Sequence, residues 1–149
     1  MIATYLDSSA LIRLCVGEGE LGDIEEAMTG LPITSVLAAV EMPIAIEARF
    51  HRGHSTADER DDLLETVAEI LHSVGKVGLS AAVRREAVGT ARDNLLRALD
   101  AIHVGTAVVV KRHQQRRGNT LRFCTGDLRQ GEAAAARLGR DRVTVLPPL

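Results

Sequence analysis

The segment Ile2-Ala-Thr-Tyr-Leu-Asp-Ser-Ser9 joins a short apolar run to an acid and two hydroxyl residues. Residues 2–6 carry β-branched, aromatic and aliphatic side chains, which is typical of a strand buried on both faces. The polar residues after Leu6 end this strand, and Ser8 or Ser9 is a suitable N-cap for a helix over about 10–16. The segment therefore predicts a buried strand that passes through an acid directly into a helix.

The same alternation of short apolar strands and longer helical segments continues along the chain. Further strands are predicted at 32–33, 77–79, 122–125 and 143–145. Helices are predicted at about 21–28, 36–52 (capped by Thr34 or Ser35), 57–72, 81–92, 97–113 and 128–138. Short strands separated by helices indicate an α/β fold with a central parallel sheet covered on both faces. No linker or repeat divides residues 1–149, so we expect a single domain.

Composition narrows the class of protein. A chain of 149 residues that is 46% hydrophobic and 26% charged is long and apolar enough to form one globular core. Cys15 and Cys124 lie in apolar sequence without metal or disulfide spacing, so we expect buried free thiols and a cytoplasmic location. We expect no signal peptide and no membrane span, since no apolar run reaches about 18 residues. The net charge of -2 argues against a general polyanion binder.

Four acidic residues lie within or beside this apolar sequence: Asp7, Glu41, Asp100 and Asp127. A carboxylate removed from water is costly unless a cation or hydrogen bonds compensate. Asp7 and Asp127 follow predicted strands, and ligands of parallel sheets bind beyond the carboxyl ends of the strands. Glu41 and Asp100 lie at the edge of apolar helix faces. Any one of them could equally be a capping or ion-paired residue, but the four together favour a shared metal site.

An all-carboxylate site without Cys or His ligands favours Mg²⁺, with Mn²⁺ as a substitute, over Zn²⁺. The reaction that uses such a site is phosphodiester hydrolysis. The metal lowers the pKa of a bound water, polarises the phosphoryl oxygen and neutralises charge on the leaving oxygen. The sequence therefore predicts a metal-dependent hydrolase of phosphodiesters.

Four sequence blocks carry a resemblance to a known family. They are Tyr5-Leu-Asp-Ser-Ser-Ala-Leu11, Thr34-Ser-Val-Leu-Ala-Ala-Val-Glu41, Leu96-Arg-Ala-Leu-Asp-Ala-Ile-His103 and Phe123-Cys-Thr-Gly-Asp127. In their order and spacing the chain resembles PIN-domain ribonucleases, and it is most similar to the VapC toxins of VapBC (type II) toxin–antitoxin pairs. The resemblance covers nearly the whole chain. Gly126 departs from it mildly, because a larger side chain is common there.

The resemblance implies a three-layer α/β/α sandwich and a Mg²⁺-dependent endoribonuclease that cuts structured RNA such as tRNA or rRNA. It implies metal-binding and catalytic roles for the four acids, supported by Ser9 and Thr125. Those two hydroxyls are equally suited to capping a helix or ending a strand. The resemblance also implies a homodimer and a VapB-type antitoxin as partner.

The cationic residues suggest where RNA would bind. Arg97 precedes Asp100 by one turn, and Arg112, Arg116 and Arg117 lie near the end of the same predicted helix. We expect them to contact phosphates, although a cationic helix end is favoured by the helix dipole in any protein. Aromatic residues are few, so recognition should use RNA shape and backbone. His103, one turn after Asp100, is expected to be a buried structural histidine.

Three other functions are alternatives to a ribonuclease. A phospho-acceptor signalling domain would need an acidic pair near the first strand and a late Lys, and no Lys follows Lys111. A haloacid-dehalogenase-like phosphatase would need an Asp where Ser9 stands. A catalytically inactive PIN-like module that binds RNA or protein is the main alternative. We also expect Asp7→Ala and Asp100→Asn to preserve stability without metal, because clustered like charges repel.

Overall fold

Five strands and seven α-helices alternate along the chain, and the computed structural model describes all 149 residues. In chain order they are β1 (Ile2–Leu6), α1 (Ser8–Val16), α2 (Gly22–Thr29), β2 (Leu31–Ser35), α3 (Ala38–His51), α4 (Ala57–Ser73), β3 (Gly75–Val77), α5 (Ala81–Asn94), α6 (Ala98–Arg116), β4 (Thr120–Thr125), α7 (Leu128–Leu138) and β5 (Val143–Val145). None of the helices combines the length and the apolar composition needed to cross a bilayer.

The strands form one parallel sheet in the order β3-β2-β1-β4-β5. Tyr5 in β1 lies beside Ile33 of β2 and Phe123 of β4. The chain builds one half of the sheet outward from β1 and then crosses to β4 on the other side. The strand order therefore reverses between β1 and β4, which is where sheets of this kind bind ligands. The prediction of a parallel sheet is confirmed.

Helices cover both faces of the sheet. On one face, Leu6 and Cys124 pack against α1, α2, α3 and α4. On the other face, Tyr5 and Phe123 pack against α6 and α7, with their rings stacked at 5.3 Å. Helix α5 lies against α6 and forms the outer part of that layer. The fold is a three-layer α/β/α sandwich, as predicted.

Several predicted boundaries were wrong. The N-cap of α1 is Asp7, whose carboxylate accepts a hydrogen bond from the Ala10 N–H at 2.9 Å; it is not Ser8 or Ser9. Helix α3 has no side-chain cap, because Thr34 and Ser35 belong to β2. Strand β3 lies at 75–77 instead of 77–79, since those residues pair with 33–35 of β2.

One glycine allows α5 and α6 to pack closely against each other. A Cβ at Gly105 of α6 would lie 2.6 Å from the backbone nitrogen of Ala87 and 3.0 Å from the carbonyl oxygen of Val83, both in α5. Only glycine permits this separation of the two backbones. The contact fixes α6, whose first turns carry Asp100 and His103, against the rest of its layer.

Candidate functional site

A pocket of about 410 Å³ opens at the carboxyl edge of the sheet, and all four predicted acids line it. Asp7 follows β1, Asp127 follows β4, and Glu41 and Asp100 lie in the first turns of α3 and α6. The other lining residues are Ser8, Ser9, Ile12, Ile44, Ala45, Ala48, Arg97, Leu99, His103 and Gln130. The structure therefore gathers four carboxylates from separate elements at the point where the strand order reverses.

Asp7 is the most buried of these acids, with 1% of its surface exposed. Its Oδ1 accepts hydrogen bonds from Ser9 Oγ at 2.7 Å and from the Ala10 N–H at 2.9 Å. Its Oδ2 accepts a hydrogen bond from Thr125 Oγ1. Burial raises the pKa of Asp7 above its usual range, although nearby His103 and these hydrogen bonds act in the opposite direction. A cation in the pocket would favour the charged form.

The two predicted supporting hydroxyls tie the ends of β1 and β4 together. Besides their bonds to Asp7, Ser9 Oγ accepts from the Gly126 N–H at 2.8 Å and Thr125 Oγ1 accepts from the Asp127 N–H at 3.0 Å. The absence of a side chain at position 126 also has a steric cause. A Cβ at Gly126 would lie 3.0 Å from the guanidinium of Arg13, which is buried under this loop.

Glu41 is held by a buried histidine. Its Oε1 accepts hydrogen bonds from His103 Nε2 at 2.6 Å and from Ser8 Oγ at 2.8 Å. The other ring nitrogen of His103, Nδ1, lies 2.8 Å from the Tyr5 hydroxyl. Burial alone would raise the pKa of Glu41, but the bonds from His103 and Ser8 outweigh it and the pKa lies below its usual range. The predicted burial of His103 is confirmed, with 2% exposed.

Asp100 and Asp127 each use one carboxylate oxygen within the protein. Asp100 Oδ2 lies 3.2 Å from Arg97 Nε, and Asp127 Oδ1 accepts from the Gln130 N–H at 3.0 Å as the N-cap of α7. Their second oxygens, like Oε2 of Glu41, accept no hydrogen bond from the protein. Three carboxylates of the pocket therefore retain an oxygen that could bind a cation or a water.

The chemistry of these donors fits a hard divalent cation. Oxygen donors dominate, no Cys lines the pocket, and both nitrogens of His103 are already engaged. However, no three His, Cys, Asp or Glu side chains lie close enough together to hold one ion. Mg²⁺ commonly takes one or two carboxylates and keeps several waters. The pocket thus fits an ion with one or two protein ligands better than a closed cage of four carboxylates.

The predicted RNA-binding arginines do not form one surface. Arg97 lies at the pocket and pairs with Asp100, whereas Arg112 pairs with Glu86 of α5 at 2.6 Å. Helix α6 has 19 residues and is about 28 Å long. Arg116 and Arg117 at its C-terminal end are therefore far from the acids that surround its first turns. Phosphate contact by these residues remains a prediction, but the structure does not place Arg112, Arg116 or Arg117 at the pocket.

Three further exposed arginines were not identified from the sequence as candidates for RNA binding. Arg84, Arg85 and Arg92 of α5 are exposed, form no ion pair within the protein, and line a shallow groove of about 420 Å³. The seven-residue spacing of Arg85 and Arg92 places them on the same helix face. This spacing was visible in the sequence, but the ion pairs that distinguish them from Arg112 were not.

Comparison with known proteins identifies the fold and leaves the family open. No protein-family model matches the chain, and no curated protein matches it. Among solved structures, it is similar to a chain of a toxin–antitoxin complex from Klebsiella pneumoniae, with 18% identity, a TM-score of 0.64, and coverage of 99% of this chain and 100% of that one. It is also similar to PAE2754 from Pyrobaculum aerophilum, with 13% identity, a TM-score of 0.61, and coverage of 94% and 90%. At these identities the likeness shows a shared fold over nearly the full chain.

Proposed function

We propose that this protein is a metal-dependent endoribonuclease of the PIN-domain type and the toxin of a type II toxin–antitoxin pair. The observation that carries the proposal is the convergence of four carboxylates from four elements on one open pocket. The resemblance of the four sequence blocks to VapC toxins supports it. The fold shared with a chain of a toxin–antitoxin complex is consistent with it.

The residues that would hold Mg²⁺ or Mn²⁺ are Asp7, Glu41, Asp100 and Asp127, directly or through water. When bound, the ion would supply Lewis-acid activation of water and neutralise charge that develops on the phosphate. The protein contributes an Asp7 held rigid by three hydrogen bonds, which is the kind of fixed environment that metal ligands need. Arg97 at the pocket pairs with Asp100 only through Nε and is largely exposed, so its terminal nitrogens can contact a phosphate.

The proposed substrate is structured RNA recognised through its backbone. No Phe, Tyr or Trp lines the pocket, so stacking of an unpaired base is not supported there. The unpaired arginines Arg84, Arg85 and Arg92 supply positive charge for phosphate contact. Helix α5 ends at Asn94, and only three residues separate it from α6 and the pocket. Arg92, in the last turn of α5, lies near this connection, whereas Arg84 and Arg85 lie about 15 Å back from it along the helix.

The proposed protein partner is a VapB-type antitoxin. Ile44 and Leu99 line the pocket with 62% and 48% of their surface exposed, and Val40 and Leu128 near them are exposed at 58% and 63%. Apolar side chains grouped around a polar pocket favour a protein that covers it. The same proposal includes a homodimer.

The competing function is an inactive module that binds RNA or protein. The observation in its favour is that no three acidic or histidine side chains lie close enough to hold one ion. An active enzyme would need to bind the ion with fewer than three protein ligands, or its carboxylates would need to move closer together when the ion binds. Cleavage is therefore the property that separates the two functions.

A cleavage assay on mixed tRNA and rRNA separates them. We expect cleavage in Mg²⁺ or Mn²⁺, none in EDTA, and a loss of more than about 100-fold for Asp100→Asn, since even residues that only support metal ligands often matter 10–100-fold. Asp62→Asn, on the exposed part of α4, is the matched control and should cleave normally. Cleavage that persists in EDTA or in Asp100→Asn would reject the mechanism. RNA binding without cleavage by the parent protein would support the inactive module.

A further inference from the structure

A buried chain of polar contacts runs from the centre of the sheet to the acidic pocket. Tyr5 of β1 is fully buried and His103 of α6 is 2% exposed. The Tyr5 hydroxyl lies 2.8 Å from His103 Nδ1, and His103 Nε2 lies 2.6 Å from Glu41 Oε1. These three residues come from the sheet and from both helical layers. Both ring nitrogens of this buried histidine therefore have a hydrogen-bond partner.

The contacts fix the orientation of the histidine ring. An ionised carboxylate only accepts hydrogen bonds, so Nε2 donates to Glu41. Nδ1 is held by Tyr5, whose own ring is stacked on Phe123 at 5.3 Å. Burial raises the pKa of Tyr5 well above its usual value, so the hydroxyl keeps its proton. The ring of His103 is thus hydrogen-bonded at both nitrogens, to Glu41 at Nε2 and to the fully buried Tyr5 at Nδ1.

The contacts also select one oxygen of Glu41 for the pocket. Oε1 receives both the His103 and the Ser8 hydrogen bonds, at 2.6 and 2.8 Å. Oε2 receives none from the protein, and 24% of the Glu41 side chain remains exposed. A carboxylate anchored by one oxygen presents the other in a fixed direction, as supporting residues do around metal ligands.

His103 further links two acids across the pocket. Asp100 and His103 lie three residues apart on α6, so they project from neighbouring positions of the same helix face. Glu41 projects from α3, in the opposite helical layer. The hydrogen bond between His103 and Glu41 therefore spans the pocket and ties the first turn of α3 to the first turns of α6.

We propose that His103 is a positioning residue that fixes Glu41 by Oε1, presents Oε2 to a divalent cation, and sets the separation between Glu41 and Asp100. The inference rests on the proposed function, because it assumes that a cation enters this pocket. Tyr5 and Ser8 assist by holding the histidine ring and the same carboxylate oxygen. None of these three residues needs to touch the ion or the RNA.

The test compares His103→Leu, which removes the donor, with His103→Gln, which retains a donor amide near Nε2. Mn²⁺ binding is measured by calorimetry without RNA, and cleavage is measured against Mg²⁺ concentration. We expect His103→Leu to weaken Mn²⁺ binding about 10-fold and to lower kcat about 10–100-fold with little change in KM for RNA. His103→Gln should recover most of both losses. His113→Leu, at the exposed end of α6, is the control for the same substitution without the contact.

Tyr5→Phe provides a second variant if His103→Leu does not fold, since it removes one hydroxyl and keeps the ring stacked on Phe123. We expect it to weaken Mn²⁺ binding by a smaller factor, about 3-fold. A folded His103→Leu protein with parental Mn²⁺ affinity would overturn the proposal, and so would a His103→Gln protein as impaired as His103→Leu. If the parent binds Mn²⁺ but cleaves no RNA, the proposed function fails while the binding comparison still decides the role of His103.

Discussion

Replacing Asp7 by Asn and by Ala separates the two tasks that the structure gives to this side chain. Asp7 caps α1 and accepts hydrogen bonds from Ser9, Ala10 and Thr125, and it is also an almost fully buried charge. Asn keeps an acceptor for the cap and can donate its amide to Thr125 Oγ1, whose hydroxyl can reorient. Ala keeps neither. Both substitutions remove the charge, so the difference between them measures the hydrogen bonds together with the packing of the side chain.

The magnitude follows from the lost contacts. Loss of an N-cap costs about 1 kcal/mol, and a buried donor left without a partner costs about 1–3 kcal/mol. We therefore expect Asp7→Ala to be about 2 kcal/mol less stable than Asp7→Asn. For a protein of this size that corresponds to a Tm lower by about 4–8 °C. Both variants should lose RNA cleavage, since both remove the carboxylate.

The pH dependence tests the buried charge. Because burial raises the folded-state pKa of Asp7 above its unfolded value, the folded protein holds this proton more tightly than the unfolded chain. The favourable contribution is complete below the unfolded pKa, near 4, and is lost as the pH rises through the folded pKa. In EDTA, Asp7→Asn should therefore match the parent in acid and be at least as stable as the parent at neutral pH.

Thermal and urea unfolding in EDTA at about pH 4, 5.5 and 7 measures both effects. Equal stability of the Asn and Ala variants would show that the hydrogen bonds to Asp7 contribute nothing. A gap between parent and Asp7→Asn that stays constant with pH would show that the buried charge is not destabilising. The sequence alone suggested that Asp7→Ala would preserve stability, and the three hydrogen bonds change that expectation. For Asp100→Asn, which gives up one exposed ion pair, the expectation stands.

Three other predictions concern the fold and the RNA surface. Gly105→Ala should lower the free energy of unfolding by about 1–3 kcal/mol in urea titration, because the added Cβ would meet the backbone of α5. Gly22→Ala is the control and should be neutral, because a Cβ there meets nothing within 4 Å. Equal effects of the two substitutions would contradict the close packing of α5 and α6. Burial raises the pKa of Cys124 to about 12, so a thiol reagent at pH 8 should label it only after unfolding. Rapid labelling of the native protein would show that the core around Cys124 opens. In a catalytically inactive variant in EDTA, charge reversal at Arg85 and Arg92 should weaken RNA binding and reduce its salt dependence by about two counterions. Charge reversal of the two arginines at the C-terminal end of α6 should have a smaller effect. Equal effects would show that the groove on α5 is not part of the RNA-binding surface.

Much of the fold was readable from local pattern. The apolar run at 2–6 and the helical spacing of later segments predicted the parallel sheet and its helices within a few residues. Errors arose where hydroxyl residues offered several possible caps. Ser8, Ser9, Thr34 and Ser35 all have the chemistry of an N-cap, but tertiary contacts decide their roles. Ser8 bonds Glu41, and Ser35 lies in a paired strand.

The site was predictable only in part. The four acids were identified because each carboxylate interrupts apolar sequence, which is costly without compensation. The contact between Tyr5 and His103 spans 98 positions of the chain and has no local signature. The ion pairing of the arginines also depends on contacts between separate elements, which the sequence does not show. Arg112 is paired because Glu86 of the neighbouring helix α5 lies beside it, whereas no acid pairs with Arg92.

The binding of a divalent cation at the acidic pocket is the claim on which the proposed activity depends. Crystals soaked in Mn²⁺ and measured at a wavelength where manganese scatters anomalously would locate the ion directly. We predict an anomalous peak between β1 and β4, within roughly 2.0–2.3 Å of one or two carboxylate oxygens of Asp7, Glu41, Asp100 and Asp127. An empty pocket at millimolar Mn²⁺, or an ion bound only elsewhere on the surface, would contradict the account.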